Sequence, residues 1–379
     1  MHAVARQFHL SASMVCRWVE RVRGKRLDRA VFSNGKPGRA WNRTVPELES
    51  RILEVRRELR ERSVLGEYGA RAIEAELKAR QPVVPSLATI NRVLARHGAV
   101  DRARRVRRPP PPKGWYLPAV AAGQAELDSF DWIEDLKIAA GPLVQVLTGI
   151  ALWASQPDAW PEEGISTESV LSHLTQRWQS LGLPDYAQFD NEAVFQGAHH
   201  LADTVGQVSR LCLALGVIPV FAPPREPGFQ NMIESFNGLW QAKVWQRHRF
   251  EDFAQLQATS ARYIAAHRAR SATRHDHAPP RRPFPQGFTF EVNAPLTGIL
   301  IFVRRTDDRG RAHLMGRYFT VAQHWTHRLV RCEVDLNTYQ IRFYALRRRA
   351  PADQALLYEV PYHREHKPFK GRPWVFHER

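Results

Sequence analysis

At 379 residues the chain is too long for one ordinary domain and is expected to hold two to four. Its three cysteines, Cys16, Cys212 and Cys332, stand far apart without a CxxC pair, which argues against a structural zinc site and for a reducing compartment; no apolar run approaches the roughly 20 residues of a membrane helix, and no signal peptide opens the chain, so a cytoplasmic location is expected. The net charge of +17 reverses along the chain: residues 1–113 hold 26 Lys/Arg against 11 Asp/Glu, residues 114–280 hold 11 against 18, and residues 281–379 hold 18 against 9, so that basic flanks suited to phosphate enclose an acidic centre suited to metal.

The opening stretch, residues 1–44, has the pattern of a helix-turn-helix. Ala3, Val4 and Phe8 are spaced for a short helix, and Ser11 or Ser13 caps a second one that carries Val15, Trp18 and Val22 inward and presents Ser13, Arg17 and Arg21 to a DNA groove. Met1 stands so close to the first helix that a supporting helix is expected upstream, or the copy is truncated. A connector with Gly35, Pro37 and Gly38 follows.

Residues 45–100 predict three helices, a second DNA-binding unit or a plain helical bundle. Thr44 is placed to cap the first, with Pro46 in its opening turn and Ile52, Val55 and Leu59 as its apolar stripe. Ala72, Ile73 and Leu77 mark the second helix, and the third ends at Gly98 with Thr89, Asn91 and Arg92 as candidate groove contacts. Residues 101–117 read as a basic, proline-rich linker: Arg102, Arg104, Arg105, Arg107 and Arg108 precede four consecutive prolines, a stiff spacer able to follow a phosphate backbone.

Residues 118–280 read as a mixed α/β domain. Two strands flank a turn at 139–141; the first carries Asp128 and Asp131, and the second, Leu143 to Trp153, is almost wholly apolar and therefore central. A helix capped by Thr167, a short strand ending at Asp190, a further helix and strand, and a helix containing Glu234 follow. Ile233, Phe236, Leu239, Trp240 and Val244 recur at helical spacing, which leaves Glu234 at the edge of a buried face. Acids from strand and helix, brought together, make an oxygen-ligand site for divalent metal. From 281 to 379 short alternating strands are expected, with hairpins at Asp308 to Gly310 and Asp335 to Asn337, outward Arg304, Arg305 and Arg347 to Arg349, and a basic tail.

The ordered acids, with "DN" at 190–191 and "PPREPGFQNMIESFN" at 223–237, resemble the integrase core of bacterial insertion-sequence transposases and retroviral integrases, the ribonuclease H-like DDE superfamily. The resemblance is specific over residues 125–250. It implies a multidomain protein with N-terminal helix-turn-helix units, a ribonuclease H-like α/β core and a small C-terminal β-barrel. It also implies a transposase that binds element ends as double-stranded DNA, as a homodimer or higher oligomer on the bacterial nucleoid, and cleaves and joins strands with two Mg²⁺ or Mn²⁺ ions. By matching position Asp190 is the second acid, Asn191 the asparagine that follows it, and Glu234 the third acid. Asp131, between Phe130 and Trp132, is preferred as the first, with Asp128 the alternative; both line the site if a bulge separates them.

The 43 residues between Asp190 and Glu234 exceed the usual integrase spacing, and the extra length falls around His199 and His200, read as a loop and not as ligands. Arg225, Gln230, Asn231 and Lys243 around Glu234 are either phosphate contacts or passive surface residues. The other reading is a catalytically silent DNA-binding protein, a repressor or architectural factor. Retention of all three acids argues against it, since a pure binder gains nothing from carboxylates beside phosphate. The excess of Arg, 47 against 8 Lys, points to a high-GC gene.

Overall fold

The computed structural model describes residues 2–24, 44–100, 113–138, 141–198, 201–226, 228–363, 369 and 373–376. The expectations at Gly35, Pro37, Gly38, Arg102, Arg104, Arg105, Arg107, Arg108, His199 and His200 fall outside them. The chain divides into two compact units: residues 1–63 with 67–102, and residues 64–66 with 103–379.

In the first unit α1 (His2–Gln7) and α2 (Ala12–Val22) form the opening pair. Ser11 caps α2, its hydroxyl accepting from the Met14 amide at 3.2 Å. Ala5 and Val15 are buried, but Trp18, expected inside, is 47% exposed, and its ring lies under the Arg21 guanidinium, 5.4 Å away. α3 (Pro46–Arg62), α4 (Ala70–Arg80) and α5 (Leu87–Arg96) pack around Ile52, Val55, Ile73, Leu77, Ile90 and Val93. Val45, not Thr44, is the residue at the α3 N-terminus, and no side chain caps it there. Buried Glu49 of α3 ties the bundle to the end of α5 through Arg96 and His97.

The second unit is a mixed α/β structure around a nine-stranded sheet. After a helical turn, α6 (Pro118–Ala121), come β1 (Leu127–Lys137), β2 (Leu143–Ala151) and β3 (Pro157–Glu162). Then follow α7 (Thr167–Leu181), β4 (Tyr186–Phe189), α8 (Ala193–Gln196), α9 (Gln207–Ala214), β5 (Ile218–Phe221), α10 (Asn231–Trp240) and α11 (Phe253–His275). The chain closes with β6 (Ile299–Arg305), β7 (Arg311–Leu314), β8 (Arg317–Thr320), β9 (Leu329–Asp335), β10 (Gln340–Leu346) and β11 (Leu356–Pro361). The strand order is β11-β10-β9-β6-β5-β4-β1-β2-β3. β1 runs antiparallel to β2 and parallel to β4, and β4 parallel to β5.

β3 carries Pro157 and Pro161, which hide it in the sequence; as the last strand of the sheet it can spare those amides. Ser166, not Thr167, caps α7, in a reciprocal pair with Ser169.

The expected C-terminal barrel does not close among the described residues. β6 instead pairs in parallel with β5, Val220 opposite Ile301 and Phe221 opposite Phe302, and carries the central sheet on through β9, β10 and β11. The Phe221 and Phe302 rings stack at 5.0 Å across that junction, so burying them selects sheet extension. The hairpin expected at Asp308 to Gly310 is a turn that joins β6 and β7, which do not pair with each other; β7 pairs with β8 in a separate sheet. Arg304 is buried and not outward: it donates to the His313 and Val303 carbonyls, and burial pushes its pKa down to about 10.

Each face of the sheet holds its own core. Phe130, Leu147, Leu174, Trp178 and Phe189 pack together on the α7 side. Ile133, Val146, Ile150, Ile233, Phe236, Trp240 and Ile264 pack on the α10 and α11 side. The alternation of strand side chains therefore assigns odd-numbered residues 127 to 133 of β1 to the α10 side.

Candidate active site

β1 and β4 are parallel neighbours with Leu127, Asp128 and Ser129 opposite Tyr186, Ala187 and Gln188. Continuing that register two residues past Ser129 and Gln188 puts Asp131 level with Asp190, and the stacking of the Phe130 and Phe189 rings at 5.4 Å holds it. α10 packs on β1 and β2 from above and brings Glu234 over the strand ends. Ile233, Phe236 and Trp240 fix the helix by their burial, while Glu234 is exposed at the edge of that face. Leu239 of the same stripe is 46% exposed, since the stripe is narrower than its sequence suggests.

Two residues that the sequence expectations did not include orient Asp131. The Asn237 amide donates to Asp131 Oδ2 at 2.9 Å, and the Thr148 hydroxyl lies 2.9 Å from the Asp131 carbonyl oxygen and 2.8 Å from Asn237 Oδ1. Asn237 stands three residues after Glu234, hence on nearly the same helix face. Thr148 is a polar residue within an apolar central strand. Those are the signals that mark them.

Burial, then the charges of Asp190 and Glu234, push the Asp131 carboxyl up to about 6, against the Trp132 backbone amide and Asn237. Asp190 is raised by burial and by the charge of Glu134, and its Oδ1 accepts from the Glu192 amide at 3.0 Å. Glu192, also missed, is a fourth carboxyl of the cluster: burial and the charges of Asp190, Glu134 and Asp131 push it up to about 7, and the Trp132 indole donates to it at 3.0 Å. This corner gathers negative charge, with the carboxyls of Asp131, Asp190, Glu192, Glu134 and Glu234 acting on one another.

Asp128 lies elsewhere. It is fully buried on the α7 face, where Arg177 donates through Nε at 2.9 Å and Nη2 at 3.2 Å, Trp178 Nε1 donates at 3.2 Å, and Arg281 adds a further pair. Burial alone would raise its pKa, but the two guanidiniums hold it well below the usual carboxylate range. Arg177 continues to Asp158 at 2.5 Å, and Arg268 joins Asp158 at 2.6 Å. The bulge of β1 falls between Ile133 and Leu136, beyond both acids, so nothing reverses the alternation between residues 128 and 131. Asp128 therefore has no open oxygen facing Asp190.

Asn191 donates to the Ala222 carbonyl at 2.5 Å, joining the ends of β4 and β5, while its buried Oδ1 has no partner among the described residues. Arg225 and Asn231 are exposed near Glu234, and half-buried Lys243 donates to the Gly66 carbonyl at 3.1 Å. Arg17, Arg21 and Arg92 are exposed in the first unit, Arg92 within 3.3 Å of the Thr89 hydroxyl.

The donors at the acid corner are all oxygen, which fits a hard divalent cation such as Mg²⁺ or Mn²⁺. Among the described residues no three of His, Cys, Asp or Glu are already drawn together as a metal-holding group. Among those residues no helix is long and apolar enough to cross a membrane.

No family model matches the chain, and no curated protein matches it. Among solved structures it is similar to the simian T-cell lymphotropic virus intasome in complex with PP2A regulatory subunit B56 gamma, at 12% identity and a TM-score of 0.36, over 68% of this chain and 87% of that one. It is also similar to the HTLV-2 integrase catalytic core domain in complex with magnesium. The dimeric form gives 12% identity and a TM-score of 0.28 over 36% of this chain and 82% of that one. The trimeric form gives 11% and 0.28 over 36% and 81%. A likeness this low bears on none of the residues above.

Proposed function

We propose that the chain is a DNA strand-cleaving and strand-transferring enzyme of the DDE transposase and integrase type, with Asp131, Asp190 and Glu234 as its acids. One observation carries the reading: the β1–β4 register brings Asp131 and Asp190 level, with Glu234 on the helix above, and burial, then the charges of Asp190 and Glu234, push the Asp131 carboxyl up to about 6. A soluble fold has no use for such repulsion, whereas a cation-binding site does. Asp131 and Asp190 are the groups to hold Mg²⁺ or Mn²⁺, with Glu234 completing the set. When bound, the metal supplies stabilisation of the attacking and leaving oxygens of an in-line phosphodiester displacement.

The protein's own part is positioning. Asn237 and Thr148 hold the Asp131 carboxylate towards Asp190, the Glu192 amide holds Asp190, and Trp132 holds Glu192. Exposed Arg225, Asn231, Arg305 and Arg348 supply positive and polar surface to the same unit, where phosphates would be neutralised. Arg17, Arg21 and Arg92 do so in the first unit, for element ends, and the basic linker residues Arg104, Arg105, Arg107 and Arg108 extend the same role. Joining two ends requires two copies, so the active form is a homodimer or larger assembly on DNA.

A silent DNA-binding protein is the second reading, favoured by the lack of a preformed metal group among the described residues. Cleavage and joining assays on supercoiled DNA with Mg²⁺ or Mn²⁺ separate the two. Activity lost in D190N and E234Q with DNA binding retained supports the enzyme; cleavage that persists in both variants overturns these assignments.

A further inference from the structure

Beside the acid corner, within the second unit, lies a cavity of about 220 Å³. Its floor is made by Trp115, Tyr116, Ser129 and Gln188, all buried, and its mouth lies between exposed Lys113 and the exposed Asn231 and Ser235 of α10. Ser129 precedes Asp131 by two residues on the same face of β1, about 7 Å along the strand. Ser235 adjoins Glu234. The cavity and the acids therefore open on the same stretch of surface.

The lining is mostly apolar, and the floor carries a few buried polar groups with part of their hydrogen-bonding capacity unused. The Ser129 hydroxyl donates to Gln188 Oε1 at 3.3 Å, Gln188 Nε2 donates to the Tyr116 hydroxyl at 2.6 Å, and Tyr116 donates to the Phe229 carbonyl at 3.1 Å. That chain fixes every rotor and leaves the second Gln188 N–H and the lone pairs of Ser129 Oγ over. The buried Trp115 Nε1–H has no acceptor among the described residues. A buried donor without a partner is costly, and a cavity beside it is where a partner would sit. The walls are aromatic: Trp115 and Phe229 lie 5.5 Å apart, and Tyr116 and Phe229 5.0 Å apart.

We propose that this cavity receives one unstacked nucleobase of the DNA strand held at the acid corner, an inference that rests on the function proposed above. The volume is below the roughly 300–1,000 Å³ of pockets for drug-sized ligands and suits a single flat heterocycle. An edge that both accepts and donates, as every base has, matches the floor's remaining donors and acceptor, and a π-face matches its walls. Phosphates flanking the base have their cations nearby: the Arg348 guanidinium lies 5.2 Å from the Phe229 ring, and Arg305 and Arg348 share Glu226.

The test uses the full chain and a single-stranded thymidine oligonucleotide carrying 5-iodouracil, irradiated and mapped by mass spectrometry. Adducts are expected on Trp115, Tyr116 or Phe229, and they should vanish in S235W, which closes the mouth from an exposed helix position. Adducts only elsewhere, or adducts at these residues that survive S235W, overturn the proposal. W115F, which keeps a ring and removes the N–H, is the second variant. It should bind the oligonucleotide several-fold to about tenfold more weakly, but a fully abasic oligonucleotide equally well; an equal loss on both probes overturns base recognition. Metal-dependent cleavage is scored on the same preparations. Cleavage without pocket adducts sinks this inference and leaves the proposed activity standing, whereas pocket adducts without cleavage do the reverse.

Discussion

Asp128 and Asp131 are three residues apart on one strand, yet they live in opposite electrostatic worlds. Asp128 faces α7, fully buried between Arg177 and Arg281, and is held ionised. Asp131 faces α10 among Asp190, Glu192 and Glu234, and is held towards its protonated form. The first arrangement pairs its charge within the fold; in the second, burial and like charge act together on the carboxyls. A carboxylate's role here follows from what the other side of the sheet delivers to it.

The largest test of that contrast is catalytic. D131N and D190N are expected to lower Mg²⁺-dependent DNA cleavage by about three orders of magnitude or more while leaving affinity for DNA within a few-fold, measured by gel assay and anisotropy. Full activity in D131N would move the first acid elsewhere.

D128N should act on folding. Removing its charge leaves Arg177 and Arg281 buried without their main partner, at a cost of about 3–5 kcal/mol in denaturant unfolding. The same pair gives an acid signature. Because the folded pKa lies below the unfolded one, its stabilisation is complete above the ordinary carboxyl value of about 4 and is lost as pH falls further. The wild type should therefore lose stability more steeply below pH 4 than D128N does.

A smaller effect is expected at Asn237. N237A removes the amide that orients Asp131 and should weaken Mn²⁺ binding by about 10–100-fold, read by calorimetry, with little change in melting temperature. Unchanged affinity would make Asn237 a packing residue.

The smallest effect has the opposite sign. Asp131 has a folded pKa of about 6, above its unfolded value, so its ionisation destabilises the metal-free protein progressively as pH rises from about 4 through 6. In EDTA, D131N should be more stable than wild type at pH 7 by about 1–2 kcal/mol, allowing for solvent screening, and equal to it near pH 4. A destabilised D131N at pH 7 would show that the acids do not repel one another.

Much of this organisation is local and was legible in the chain. The period of Ile233, Phe236 and Trp240 sets α10 and its exposed Glu234, Ser11 caps α2, and alternation along β1 parts Asp128 from Asp131. These follow from nearest neighbours, whose spacing is a property of the backbone.

Long-range pairing decided the rest. The stretch after residue 281 alternates as a barrel strand or a sheet strand would, and only the pairing of Phe302 with Phe221 selects sheet extension. Pro157 and Pro161 are permitted because β3 lies at an edge, a place assigned by the eight other strands. Arg177, Arg281, Asn237 and Thr148 lie 17 to 153 residues from the acids they serve. Pattern along a chain encodes which face a side chain takes; the charge it meets there comes from segments that only folding brings across.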